Sequence, residues 1–307
     1  MSLIIPISNN SDPNDLRNLM RSIEHQTTSE IEVLIICSPT TILLETIHSS
    51  LAVRIVRIED CGASEARNAG AKLSKGSYLA FLDDDIILDK MWVGLLKDTF
   101  EDQSIGAVSG SAQPAFQNLN LDWIPRELLW VVGGCYWDSS ELKDVYGAAG
   151  MNFCIRREVF FSVGGYNQSL GPINDRPETS KWNRLGAEES ELALRILSTG
   201  KRVVYNPKML VTHRLRRSSL MPIALFKRAM HVGQNRAFLS STFSGQSKNA
   251  SDFLVIQKLP SRIISIELFH HPLFSWKRTS FSVVVVLGTL LGYVIGAIRF
   301  RKIKPNH

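Results

Sequence analysis

Three consecutive carboxylates, Asp83-Asp84-Asp85, directly follow the apolar run Tyr78–Leu82. No cationic run lies nearby to offset them, so at the end of a buried strand their repulsion costs stability unless a cation is present. On an extended chain Asp83 and Asp85 point to the same side, so that pair reaches a single ion. A hard divalent ion, Mg²⁺ or Mn²⁺, prefers such oxygens and bridges them to a diphosphate. The competing reading is a solvated turn that caps the next helix, and the strand context argues against it. His213, after the strand-like segment 208–212, is a candidate third ligand through a neutral imidazole; a structural histidine is the alternative.

A second acidic group, Glu188-Glu189-Ser190-Glu191, opens a helical pattern. Carboxylates in a first turn favour the helix dipole, which accounts for the composition without any chemistry. The functional reading makes one of them a general base for an acceptor hydroxyl. Glu188 and Glu191 share a face, with Glu189 turned about 100° away. Upstream, Gly62-Ala-Ser-Glu-Ala-Arg67-Asn68-Ala-Gly70 is a glycine turn opening a helix with an arginine one turn in, which suits an anionic group at the helix N-terminus. An exposed surface arginine is the alternative.

The elements that position these groups alternate between strand and helix. Leu3–Ile7, Ile31–Cys37, Val53–Ile58 and Tyr78–Leu82 are apolar runs of strand length. Between them, Asp12-Pro13 caps a helix carrying Leu16, Leu19, Met20 and Ile23. A second helix is expected at 41–49, a third over 64–74, and a fourth bears Trp92, Leu95, Leu96 and Phe100. This order predicts an α/β fold with a mostly parallel central sheet flanked by helices, its ligands gathering beyond the carboxyl ends of the strands. From about 106 to 215 the pattern is less regular, with a strand-to-helix element over 152–163, a polar loop over 171–183 and a helix over 188–198 closed by Gly200.

Bulk properties set the bounds. A chain of 307 residues holds one core of roughly 200–250 residues with an appendage. With 44% hydrophobic and 21% charged residues, disorder is not the default. The net charge of +6 comes from scattered Lys and Arg without a nucleic-acid-binding motif, so nucleic acid is not an expected partner. Cys37, Cys61, Cys135 and Cys154 lack zinc or redox spacing and read as small buried hydrophobes of a reducing compartment. The start, Met-Ser-Leu-Ile-Ile-Pro, reads as a strand rather than a signal peptide, which leaves the catalytic part on the cytoplasmic face.

The C-terminal part changes character. Residues 281–298 carry no charge and span about 27 Å as a helix, just enough to cross a bilayer. Lys277 and Arg278 precede them, and Arg299, Arg301, Lys302 and Lys304 follow. A single crossing would send the more basic flank outward, against the positive-inside rule. A hairpin with residues 263–274 as a first leg, or a helix lying in the interface, avoids that conflict. The expected division is a catalytic domain over 1–215, an amphipathic helical region at the membrane interface over 216–276, and a hydrophobic membrane helix with basic tail over 277–307.

Taken in order, these segments resemble glycosyltransferase family 2. The resemblance is carried by Leu3-Ile-Ile-Pro6, His25-Gln26-Thr27, the strand 31–36, Ser64-Glu-Ala-Arg67-Asn68-Ala-Gly70 and Phe81-Leu-Asp83-Asp84-Asp85. It continues through Asn152-Phe-Cys-Ile-Arg156-Arg157, Val163-Gly164-Gly165-Tyr166, Glu188-Glu189-Ser-Glu191 and Tyr205-Asn-Pro207 up to His213, covering roughly residues 2–215. It implies a GT-A fold, a nucleotide-sugar donor, a divalent metal and inversion at the transferred sugar. Pro6 and Ser38 would border the nucleobase pocket, Arg67 and Asn68 would lie near the nucleotide, and Asp83, Asp84 and Asp85 would meet ribose and the metal-diphosphate. Asn152 would approach the donor sugar or the acceptor. Glu189 takes the place of the usual base, with Glu188 as the fallback. The family's Asp-Asp-Gly-Ser after the second strand is here Cys37-Ser38-Pro39, so a base-reading carboxylate is missing there.

The expected activity is sugar transfer to a lipid-linked or glycan acceptor at a membrane. A basic and apolar stretch, Leu225–Arg236, suits anionic lipid or an acceptor phosphate. A nucleotidyltransferase is the first rival, but Pro6-Ile-Ser-Asn-Asn lacks the glycine-rich basic loop it needs. A non-catalytic, membrane-attached carbohydrate-binding protein is the second, and it has no use for Asp85 or Glu189.

Overall fold

The computed structural model describes residues 1–26, 30–41, 50–59, 62–116, 120–170, 186–243 and 275–301. Most of the helix expected at 41–49, the polar loop over 171–183, the apolar leg over 263–274, Cys61, Lys302 and Lys304 lie outside them.

Among the described residues, nine strands form one sheet: β1 (Ser2–Pro6), β2 (Glu32–Cys37), β3 (Val53–Arg57), β4 (Tyr78–Leu82), β5 (Ile86–Leu88), β6 (Ile105–Ala115), β7 (Lys143–Asp144), β8 (Asn152–Arg156) and β9 (Arg202–Arg214), ordered β3-β2-β1-β4-β8-β6-β9-β5 with β7 beside β9. The helices are α1 (Pro13–Glu24), α2 (Ala63–Leu73), α3 (Trp92–Thr99), α4 (Arg157–Ser162), α5 (Glu188–Ser198), α6 (Pro222–Thr242) and α7 (Ser275–Phe300). The parallel expectation holds for β3-β2-β1-β4 and again for β6 with β9. Elsewhere the sheet is mixed: β8 runs antiparallel between β4 and β6, and β5 and β7 run antiparallel to β9.

β1, β2 and β4 are buried on both faces, which explains why they read as unbroken apolar runs rather than alternating ones. α1 begins as expected, with Asp12 accepting from the Asn14 N–H at 2.8 Å and proline in its first turn. α2 packs closely on β1, since a Cβ at Gly70 would stand 2.5 Å from Ile4 Cγ2. Because β1, β2 and β4 are parallel, their carboxyl ends deliver Pro6, Ser38 and Asp83 to one edge of the sheet.

Asn152 does not reach that edge. It is fully buried, its amide donating to Ser111 O (2.9 Å) and Met209 O (2.8 Å) while its oxygen accepts from Trp92 Nε1 (3.0 Å). β6 and β9 slip register between Gly110 and Ser111 around Pro207, and the slip frees carbonyls that only a buried donor satisfies. The expectation that Asn152 meets donor or acceptor is therefore corrected: it is a strut of the core.

α6 and α7 run parallel and in close contact. Gly233 faces Thr289 and Tyr293, Gly292 faces Met230, and a Cβ at Gly296 would stand 2.7 Å from Ala237 Cβ. Small residues four apart on both helices allow this approach. The pair rests on the 3₁₀ turn Arg126–Val132, where Leu225, Ala229, Phe281 and Val285 are buried with Leu128 and Val132. An 18-residue window within Trp276–Phe300 has a mean hydropathy of 2.3, enough in length and composition to cross a membrane.

Asn152→Asp keeps the Trp92 bond but turns an acceptor toward two carbonyls. The variant should lose on the order of 3 kcal/mol or more in urea unfolding, with unchanged ligand affinity in the fraction that remains folded.

Candidate active site

A cavity of about 430 Å³ opens beyond the carboxyl ends of β1 and β2, within the size range of small-ligand sites. Pro6, Ile7 and Ser8 form one side, Ile36 to Ser38 and Ile58 a second, and Gly62 and Ala63 at the start of α2 a third. Its polar end holds Arg67, Asp83, Glu188 and Glu189. Pro6, Ser38, Arg67, Asp83, Glu188 and Glu189 are thus brought together as expected from their places in the sequence.

Arg67 organises this end. Its side chain is 7% exposed and reaches Glu189 Oε1 at 2.9 Å, Asp83 Oδ1 at 3.2 Å and Glu188 Oε1 at 3.6 Å. Burial opposes its charge, but Glu189 together with Asp83 and Glu188 raises its pKa, so it stays cationic. The Tyr166 ring lies 5.4 Å from the guanidinium. Tyr166 is held by Asn68, which donates to its carbonyl and accepts from its N–H, each at 2.8 Å. Asn68 is therefore spent on the Tyr166 backbone and does not line the cavity, which corrects its expected place beside the nucleotide. The role of Tyr166 was not assigned from sequence, although the Gly164-Gly165-Tyr166 turn, with both glycines at positive φ, marked the spot.

The dipole reading of α5 does not describe what its carboxylates do. Glu188, Glu189 and Glu191 are all buried rather than solvated. Glu191 pairs with Arg195 at 2.7 Å, and Arg195 in turn donates to Gly165 O at 2.7 Å and to Val163 O, tying α5 to the turn that carries Tyr166. Glu188 and Glu189 are left facing the cavity. Gly150 lies against Glu189, where any Cβ would overlap its carboxylate. One guanidinium thus faces three carboxylates, an excess of negative charge that disfavours full ionisation of the buried glutamates. Burial first, and then Glu188, pushes Glu189 up to about 8, while burial raises Glu188 against the pull of Arg67.

The other two aspartates face elsewhere. β4 stops at Leu82 and the chain turns at Asp84-Asp85, so Asp83 and Asp85 are not on one side of an extended strand. Asp83 faces Arg67, whereas Asp85 Oδ1 lies 3.4 Å from His213 Nε2 on β9. Asp84 does not line the cavity, a correction to its expected nucleotide contact; burial lifts it to about 6 against Ser11, with Asp85 and Asp83 adding to the rise. His213 Nδ1 meets Gly133 O at 2.8 Å, which leaves Nε2 to carry either a proton toward Asp85 or a lone pair toward a metal. Burial opposes the imidazolium, but Asp85 and Gly133 outweigh it and raise the pKa. Asp85 Oδ1 is buried and makes no hydrogen bond among the described residues, and no three potential ligands there surround one point. An orphaned carboxylate oxygen beside an imidazole is a donor set that fits a Mn²⁺- or Mg²⁺-sized ion.

Two outcomes follow from this charge balance. The folded pKa of Glu189 lies above its ordinary 4.5, so stability should fall as pH rises from about 4.5 to about 8 and level off above; Glu189→Gln should flatten that slope in denaturant titrations. Gly150→Ala should displace the Glu189 carboxylate from Arg67, with a loss of at least tenfold in any turnover that needs it and a lowered melting temperature.

A family model described as glycosyl transferase family 2 matches residues 2–163. The chain is 32% identical over 163 residues to a glucosyl-dolichyl phosphate glucuronosyltransferase of Haloferax volcanii, covering 51% of this chain and 49% of that protein. It is 28% identical over 187 residues to an uncharacterized glycosyltransferase of Haemophilus influenzae, covering 57% and 59%. The chain spans about half the length of these curated relatives. Among solved structures it is similar to the mannosyltransferase PcManGT from Pyrobaculum calidifontis in complex with GDP-Man and Mn²⁺, with TM-score 0.59, 15% identity and coverage of 97% and 85%. A second is GalNAc-T7 with UDP, GalNAc and Mn²⁺, with TM-score 0.54, 18% identity and coverage of 81% and 51%. These likenesses show a fold of the GT-A type.

Proposed function

This chain belongs to glycosyl transferase family 2, and from that premise we propose that it moves a sugar from a nucleotide-sugar donor to a lipid-linked or glycan acceptor with inversion at the sugar carbon. The observation that carries this reading is Arg67, buried among Asp83, Glu188 and Glu189 at the end of the cavity. A diphosphate is the ligand whose charge suits that arginine, and a cation is what the surplus carboxylates lack. The nucleoside would lie over Pro6 and Ser38, without a carboxylate at Ser38 to read the base. Asp85 and His213 would hold a divalent ion, with Asp83 turned to Arg67 instead of joining them, and the ion would neutralise charge on the departing diphosphate. Both solved neighbours are complexes with Mn²⁺ and a nucleotide or nucleotide-sugar.

Glu189 is the base. As Arg67 turns to the diphosphate, Glu189 is released to take the proton from an acceptor hydroxyl. The oxygen bonds to the anomeric carbon from the face opposite the leaving group, and the sugar–phosphate bond breaks. An acceptor that is itself a lipid phosphate brings an anionic oxygen, and then Glu189 only positions it. The relative named for a dolichyl phosphate substrate favours a lipid-linked acceptor. In the proposed division, residues 1–215 form the catalytic domain on the cytoplasmic face, 216–276 the interfacial region and 277–307 the membrane-associated end.

A screen of UDP-, GDP- and dTDP-sugars with Mn²⁺ should find one donor that raises the melting temperature in a metal-dependent way and is turned over. Asp85→Ala and Glu189→Gln should each cut that turnover by 100-fold or more; turnover surviving both substitutions would overturn the assigned roles. With a hydroxyl acceptor, kcat/KM should rise with pH along a limb near 8, set by Glu189 in the free enzyme.

A further inference from the structure

α7 is fastened to the catalytic body at both ends. Near its start, Phe281 and Val285 are buried with Leu128 and Val132, and the Phe281 ring meets Trp123 edge-on at 5.2 Å. At its end, Phe300 is buried with Ala237 and Leu170. The Leu170 carbonyl accepts from Ser64 Oγ (3.1 Å) in the first turn of α2, on the far side of the cavity. From Phe281 to Phe300 is about 28 Å of helix, so α7 lies along the body instead of leaving it. α6 runs parallel beside it and carries exposed Lys227 and His231. Were α7 to cross a bilayer in this arrangement, those side chains and the flank of the body would enter hydrocarbon with it, at several kcal/mol per charge.

The outward face of α7 has a different chemistry from the face packed on α6. Val283, Leu287, Leu291, Val294 and Ile298 are exposed along one helical stripe, with Ile298 71% exposed, and no charge interrupts residues 279–298. At the ends stand Lys277 and Arg278, then Arg299 and Arg301, with Trp276 82% exposed. Basic residues at both ends of an apolar stripe, with a tryptophan beside them, complement an anionic leaflet.

We propose that α7 lies in the plane of a single anionic membrane leaflet, its exposed stripe among the acyl chains and both basic ends in the same headgroup layer. This rests on the membrane reading above and deepens it. With both ends on one side, the conflict between a single crossing and the basic C-terminal flank disappears. α6, which packs on α7, also lies next to segments of the site. Asn235 of α6 lies against Gly186, beside Glu188, and Arg228 donates to Val131 O near the segment that holds His213. A lipid-linked acceptor then reaches the site without leaving the leaflet.

The test uses the full chain in a Cys61→Ser background with an environment-sensitive fluorophore on Val283→Cys, Leu291→Cys or Ile298→Cys; Cys37, Cys135 and Cys154 are buried. Depth is read by lipid-borne quenchers at shallow and deep positions in vesicles of phosphatidylcholine and phosphatidylglycerol. Equal, shallow depths at all three sites are the expected result. A deep Leu291→Cys label between two shallow ones means a crossing helix, which overturns the in-plane placement and leaves membrane attachment standing. Labels that stay in water on every vesicle overturn both membrane readings, while donor turnover separately tests the catalytic one. Leu287→Asp, at an exposed position, should lower vesicle partitioning at least tenfold with an unchanged melting temperature; unchanged partitioning would count against the stripe as the contact.

Discussion

A single guanidinium buried among three carboxylates is the constraint on which the site depends. Removing Arg67 from water costs several kcal/mol, offset only because Asp83, Glu188 and Glu189 converge on it from β4 and α5. Each of those elements is in turn fixed by the core: β4 by pairing with β1 and β8, α5 by Glu191 and Arg195 gripping the 163–165 turn. Tyr166, clamped by Asn68, closes over the arginine and shields it from water. Three segments far apart in sequence are therefore locked together by one side chain.

The charge arithmetic at that point shapes the chemistry. Ion pairing offsets the charge of Arg67, yet the carboxylates still exceed it, and burial together with Glu188 raises the pKa of Glu189. Such a site is poised for ligands that bring positive charge and take up the arginine, which a metal-bound diphosphate does together. The separation of Asp83 from Asp85 fits this division: one faces the arginine and the cavity, the other the imidazole of His213.

The helix pair links the catalytic edge to its surroundings. α6 packs small residues against the glycines of α7, so the backbones approach closely and the pair behaves as one layer. That layer rests on the 126–132 turn at one end and on Leu170 at the other. The layer carries an apolar stripe on its outer surface and polar side chains such as Gln234 and Asn235 buried on its inner one.

Local physics was enough to determine much of this from sequence. Buried parallel strands read as apolar runs, helix caps and periodicity marked α1, α2, α5 and α7, and the ends of β1, β2 and β4 placed Pro6, Ser38 and Asp83 at one edge. β6 was not legible, because Gly, Ser and Pro dilute its apolar signal and its strand character comes from neighbours on either side. Tertiary structure alone decided which polar residues meet the cavity. Asn68 and Asn152 carry the same chemical groups as a ligand-binding side chain, but their donors and acceptors are consumed by a turn and by a register slip that no local pattern reveals. Likewise, the turn at Asp84-Asp85 sends neighbouring carboxylates to different partners, because hydrogen-bond satisfaction of a buried group is settled by the whole fold and not by its position along the chain.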